Sequence, residues 1–207
     1  ARDQFAVWGD SHAMMMAETL DSVAKEAGVS GRFISVPGSP PLLDVYRNLG
    51  RTPPNPEVEK IVEFIVKNEI SDVILIARWS AYVEGYSESD LIFEERGKSF
   101  DQFLIGDQNT EVFSPADAKR VLDSQLAKII ERFSNSGIKV WLIQQVPEQE
   151  GPTAFPLLMG KLGFSVRYYP TDFKAHEDRQ RVTNKILKSM ENIGATVVAT
   201  QSLLFDE

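Results

Sequence analysis

Cysteine is absent from this chain, which excludes disulfides, thiolate metal sites and cysteine nucleophiles and leaves the redox compartment open. Histidine is scarce: His12 and His176 are the only two, far apart, and make no recognisable metal-ligand set. No apolar run approaches the roughly 18 residues that a membrane-crossing helix needs. Positive charge is outnumbered, with 22 Lys and Arg against 30 Asp and Glu. The resulting net charge of −8 argues against a nucleic-acid backbone or an anionic lipid surface as the main partner. There is no Gly-x-Gly-x-x-Gly or P-loop, and no acidic cluster for Mg²⁺ beyond Asp10 itself. A nucleotide-binding or flavodoxin-like receiver role is therefore poorly supported, and no metal or cofactor is indicated. No signal peptide is visible and the first residue is Ala, as in an excised or processed product. What is present, 207 residues with 43% hydrophobic content, suffices for one α/β domain spanning 1–207.

Five apolar segments read as strands: Gln4 to Trp8, Arg32 to Val36, Asp72 to Ala77, Lys139 to Val146 and Ala195 to Thr200. Between them lie helical patterns over Ala13 to Ala27, Glu57 to Asn68, Pro115 to about Asn135 and His176 to Ile193. Ser114 stands as the N-cap of the third helix, with proline at its first turn. Alternation of this kind predicts an α/β three-layer sandwich around a five-stranded parallel sheet, order 2-1-3-4-5, of flavodoxin-like topology. The expected ligand site lies beyond the carboxyl ends of strands one, two and three. Residues 82–113 have little clean periodicity and mix charge with aromatics, which suggests an insertion or lid.

That topology gathers three loops: Gly9 to His12, Pro37 to Pro41, and Arg78 to Ala81. The first carries the most chemistry. In Phe5-Ala6-Val7-Trp8-Gly9-Asp10-Ser11-His12 an apolar strand breaks at a glycine and a helix follows. A serine at such a turn projects its hydroxyl from the sheet edge and sits near the free N–H groups of the next helix. Two roles fit these residues, a nucleophile at Ser11 or a plain N-cap at Asp10 or Ser11. His12 adjoins Ser11, and neighbouring side chains diverge, so it suits bracing the loop or contacting substrate better than acting as base. His176 precedes the last helix and strand, which is read as placing it at the far end of the sheet from Ser11.

The strand, the Gly9-Asp10-Ser11-His12 block and the apolar helix together resemble block I of the SGNH hydrolase superfamily. The resemblance implies a serine acyl-enzyme, with Ser11 as nucleophile and one oxyanion donor, and Gly38 as the glycine donor after the second strand. Arg78-Trp79-Ser80 stands where Gly-x-Asn-Asp is the pattern, so the asparagine donor is missing. By analogy the Trp79 indole or the Arg78 guanidinium replaces it; alternatively Trp79 packs over the sheet end and Arg78 pairs with a carboxylate. The Arg-Trp pair and Pro40-Pro41-Leu42-Leu43 resemble one branch, the SGNH domain fused behind membrane-bound acyltransferase family three. Membership there implies a periplasmic soluble domain of an inner-membrane protein, an acetyl donor, and a glycan acceptor such as O-antigen. It also implies a catalytic Asp-x-x-His after the last strand, a segment expected beyond Glu207. A glycan-binding or docking module without catalysis, and a stand-alone carbohydrate acetylesterase, are the alternatives.

Overall fold

The structure is a computed structural model that describes residues 3–86, 101–147, 154–163 and 172–200. Its central sheet has five parallel strands: β1 (Phe5–Gly9), β2 (Gly31–Ser35), β4 (Asp72–Ile76), β6 (Lys139–Ile143) and β7 (Ala195–Val198). Their order is β2-β1-β4-β6-β7, which is 2-1-3-4-5 when only these five are counted, as the sequence pattern predicts. The numbering skips because two short strands, β3 (Tyr46–Arg47) and β5 (Ile105–Gly106), form a separate antiparallel ladder.

Strand alternation sends side chains to two layers. One face of the sheet, with Ala6, Trp8, Val73, Leu75, Val140 and Leu142, packs on three helices: α3 (Glu57–Lys67), α5 (Pro115–Ser134) and α7 (Phe173–Ser189). Val62, Ile65, Leu122, Ile129, Phe133 and Leu187 from those helices complete this main core. On the opposite face Val7 and Ile76 meet Ala13 of α1 (Ser11–Met15), with Leu20 of α2 (Ala17–Ala27) and Met16, at the junction of the two helices, packed alongside. The result is the three-layer α/β architecture that the alternation of strands and helices implies.

Departures are local. The helix expected over Ala13 to Ala27 begins at Ser11, because Asp10 caps it, and breaks at Met16, whose N–H turns back to Ala13 O. Arg78 to Ala81, read as a loop, opens α4 (Trp79–Glu84). Of the 82–113 stretch, residues 87–100 lie outside the described residues. Its described ends are built into the protein, since Tyr82, Val83, Tyr86, Leu104 and Ile105 are buried. Residues 148–153 and 164–171, most of a second irregular stretch, are also outside the description, while α6 (Ala154–Lys161) lies between them.

Candidate active site

The carboxyl ends of β1, β2 and β4 meet at the loop Gly9-Asp10-Ser11. Gly9 passes so close to β4 that a Cβ on it would fall 1.7 Å from Ile76 O. Only glycine permits that approach, and the approach brings Asp10 N–H towards Ile76 O at 3.4 Å. On the other side Val36 N–H donates to Gly9 O at 2.9 Å, and Ser35 Oγ donates to Asp10 O at 2.8 Å. The loop is therefore tied to strands on both flanks.

Asp10 is the centre of this arrangement. It is 1% exposed, and both carboxylate oxygens accept hydrogen bonds. Oδ1 takes the His12 N–H at 2.8 Å, the N-cap bond of α1. Oδ2 takes the Arg78 N–H at 2.9 Å and the Tyr82 hydroxyl at 2.8 Å. One side chain thus fixes the start of α1, the turn after β4 and the first residues of α4. Burial, reinforced by the Asp10 carboxylate, pushes the Tyr82 phenol well above its ordinary range, so it stays a donor; Arg47 and Arg78 oppose that shift only in part. The His12 ring lies 3.8 Å from Asp10 Oδ1 through Nδ1. Ser11 itself is exposed at the first position of α1.

The second loop is a tight turn. Ser39 N–H donates to Val36 O at 3.0 Å, with Pro37 and then Gly38 at the two central positions and Gly38 at φ +69°. Proline followed by a positive-φ glycine is the pattern of a type II turn. Its own hydrogen bond does not use the Gly38 N–H. The Gly38 carbonyl accepts from Arg47 Nη1 at 2.6 Å.

The third loop requires a correction. Trp79 is fully buried, and its indole N–H donates to Ile143 O at 2.9 Å, so the indole is engaged inside the fold and is not an exposed oxyanion donor. Ser80, in place of the family asparagine, is buried too. Its N–H and hydroxyl both donate to Gln145 Oε1, and its oxygen accepts from Gln180 Nε2. The Arg78 guanidinium stands over the Tyr86 ring at 5.9 Å.

His176 also departs from expectation. It lies in the first turn of α7, whose N-terminal half packs on α4: Arg179 bonds Gly85 O and Gln180 bonds Ser80. A helix between two parallel strands starts at the carboxyl edge, so His176 is on the same side of the sheet as Ser11. Its ring is buried, and Asp172 serves as the N-cap, accepting the Ala175 N–H. Two residues of the arrangement escape sequence reasoning, Arg47 and Tyr82. Arg47 has no local signal, while Tyr82 reads only as the start of the insertion. Among the described residues no group of three or more His, Asp or Glu has the placement of a metal site.

A family model described as the SGNH domain (fused to AT3 domains) matches residues 1–207. The chain belongs to that family: it is an SGNH domain. Among solved structures, this SGNH domain is similar to the periplasmic domain of a lipopolysaccharide acetyltransferase from Salmonella ser. Paratyphi A. The identity is 12%, the TM-score 0.55, and the match covers 99% of this chain and 69% of that one. It is also similar to a putative acylhydrolase from Bacteroides fragilis, at 13% identity and TM-score 0.50, covering 99% of this chain and 71% of that one. At such identities the likeness shows the fold. No curated protein gives a significant match. The SGNH fold supports acyl transfer or ester hydrolysis in general, and the family's fusion to AT3 domains supports a membrane acyltransferase as a partner domain. No helix among the described residues is long and apolar enough to cross a membrane.

Proposed function

We propose that this SGNH domain carries an acetyl group on Ser11 and passes it to a hydroxyl of a cell-surface glycan, working at the periplasmic side of a fused membrane acyltransferase. The observation that carries the reading is an exposed Ser11 held at the carboxyl edge by a fully engaged, buried Asp10. A flexible serine is a poor nucleophile, whereas one on a loop bonded to both neighbouring strands stays in line with its target. Ser11 Oγ attacks the acetyl carbonyl and loses its proton to a base. Collapse of the tetrahedral species expels the donor's leaving group and leaves an acetyl ester. The sugar hydroxyl then attacks that ester, and Ser11 regains a proton. The Ser11 and Gly38 amides are the two oxyanion donors, and His12 and Arg78 support the loop; the base that takes the Ser11 proton is assigned to the family's Asp-x-x-His pattern, which residues 1–207 do not contain. No metal or cofactor enters the scheme.

Labelling with a fluorophosphonate tests this directly. The wild-type protein is expected to take one label and Ser11→Ala none, with aryl acetate turnover falling by about a thousandfold in the variant. Equal labelling of both proteins overturns the reading.

A second reading has one observation in its favour. The Trp79 indole and the Ser80 amide are both engaged internally, so neither supplies a third oxyanion donor. In that reading the domain holds the glycan for the membrane partner without forming an ester. Undiminished glycan affinity in Ser11→Ala, with no turnover by the wild type, selects it.

A further inference from the structure

An oxyanion donor works only if it already points where charge will develop. Ser11 N–H sits in a loop whose course the Asp10 bonds to His12, Arg78 and Tyr82 fix. Gly38 is less securely built, because a glycine has no Cβ to restrain the two peptides that flank it. The Gly38–Ser39 peptide is nevertheless held at both ends. Its N–H bonds Val36 O at 3.0 Å, and its carbonyl accepts from Arg47 at 2.6 Å. The guanidinium also occupies the space beside the glycine, since a Cβ on Gly38 would lie 3.2 Å from Arg47 Nη1.

Arg47 is well placed for this task because its own backbone is anchored twice. Its N–H donates to Thr52 O at 3.0 Å, and as part of β3 it pairs with Ile105, which is fully buried. Its side chain then reaches back from that ladder to the turn. With Pro37, Ser39, Pro40 and Pro53 it also lines a hollow of about 290 Å³ next to the turn.

We infer that Arg47 is the positioning residue of the oxyanion site: by holding the Gly38 carbonyl it fixes the peptide that follows Gly38, and so restrains the torsions at the Gly38 Cα on which the direction of the Gly38 N–H depends. This rests on the acyl-transfer reading above. An arginine suits the role better than a lysine, because a planar fork bonded to a carbonyl fixes direction as well as distance.

The test compares Arg47→Gln and Arg47→Lys with the wild type in aryl acetate kinetics and fluorophosphonate labelling rate, with amide hydrogen exchange at Ser39 as the local readout. In Arg47→Gln, kcat and the labelling rate are expected to fall together by about tenfold to a hundredfold. KM stays within about twofold. Ser39 exchange rises by about tenfold while the β3–β5 ladder keeps its protection. Arg47→Lys recovers part of the loss. An unchanged kcat in Arg47→Gln overturns the inference and leaves the Ser11 reading standing. So does a rise in KM alone, which would make Arg47 a substrate contact, or a loss of protection across the whole ladder, which would make it merely structural. A wild-type protein inert to both reagents removes the acyl-transfer reading itself, and the inference falls with it.

Discussion

A buried carboxylate is costly unless its oxygens are paired, and Asp10 pairs both. The three bonds differ in what replaces them. Tyr82→Phe removes one donor without adding a mismatched group, leaving Oδ2 with the Arg78 N–H, and is expected to destabilise by about 1–3 kcal/mol. Asp10→Asn is expected to lose more, because its amide group must face an N–H where a carboxylate oxygen was, stranding a donor against a donor. Urea denaturation of the two variants checks the order. A smaller loss in Asp10→Asn than in Tyr82→Phe would mean that the carboxylate is not the tie between α1 and α4. The capping half of this role is legible in the sequence, since an aspartate between a strand and a helix is a standard N-cap. The other half is not, because Arg78 and Tyr82 are distant in the chain and become partners only through sheet pairing. Trp79 shows the converse: its place after an apolar strand suggests a site residue, yet its indole satisfies a core carbonyl.

At the level of elements, the approach of β1 to β4 depends on residue nine having no side chain. Gly9→Ala would put a methyl into Ile76 O and close to the Ala13 side chain, with backbone on one side and little slack on the other. The sheet must part locally or α1 must lift, and either displaces Ser11. Loss of more than about 3 kcal/mol is expected, in the range of severe overpacking. A thermal midpoint within a few degrees of wild type would show that the junction is looser than its contacts indicate. The long strands and helices were readable because burial on one or two faces leaves a periodic apolar pattern. The β3–β5 ladder was not, for two residues on each side are too few to show any period. Arg47 belongs to that ladder, so the feature hardest to see in the sequence is the one that braces Gly38. Arg78 to Ala81 read as a loop for a related reason: α4 is only six residues long, too short for periodicity to emerge before Gly85 ends it.

On the scale of the whole molecule, strand order followed from alternation of strand and helix, because parallel strands need crossovers and crossovers fill the layers. The same rule, carried one step further, puts the start of each crossover helix at the carboxyl edge, which is why His176 shares a side with Ser11. Stability as a function of pH ties the site to the entire fold. Tyr82 is pushed well above the ordinary tyrosine value of about 10 by burial and by Asp10. In the unfolded chain it ionises near that ordinary value, so above it the folded state holds a proton that the unfolded state has released. Its contribution is therefore fully present below about pH 10 and is lost as pH rises through the folded-state value. Asp107 acts at the opposite end. Its bond to Arg120 Nη1 at 2.7 Å holds its carboxyl below the usual range, so its contribution is present above about pH 4 and fades as pH falls. That ion pair is half open to solvent through Arg120, and its effect is accordingly small. The alkaline limb is the stronger expectation. Urea midpoints measured from about pH 8 to 11 should decline more steeply for the wild type than for Tyr82→Phe, with the gap between the two narrowing above about pH 10. Parallel curves across that span would mean that Tyr82 ionises without leaving Asp10, and that the bond between them does not hold α4 to the nucleophile loop.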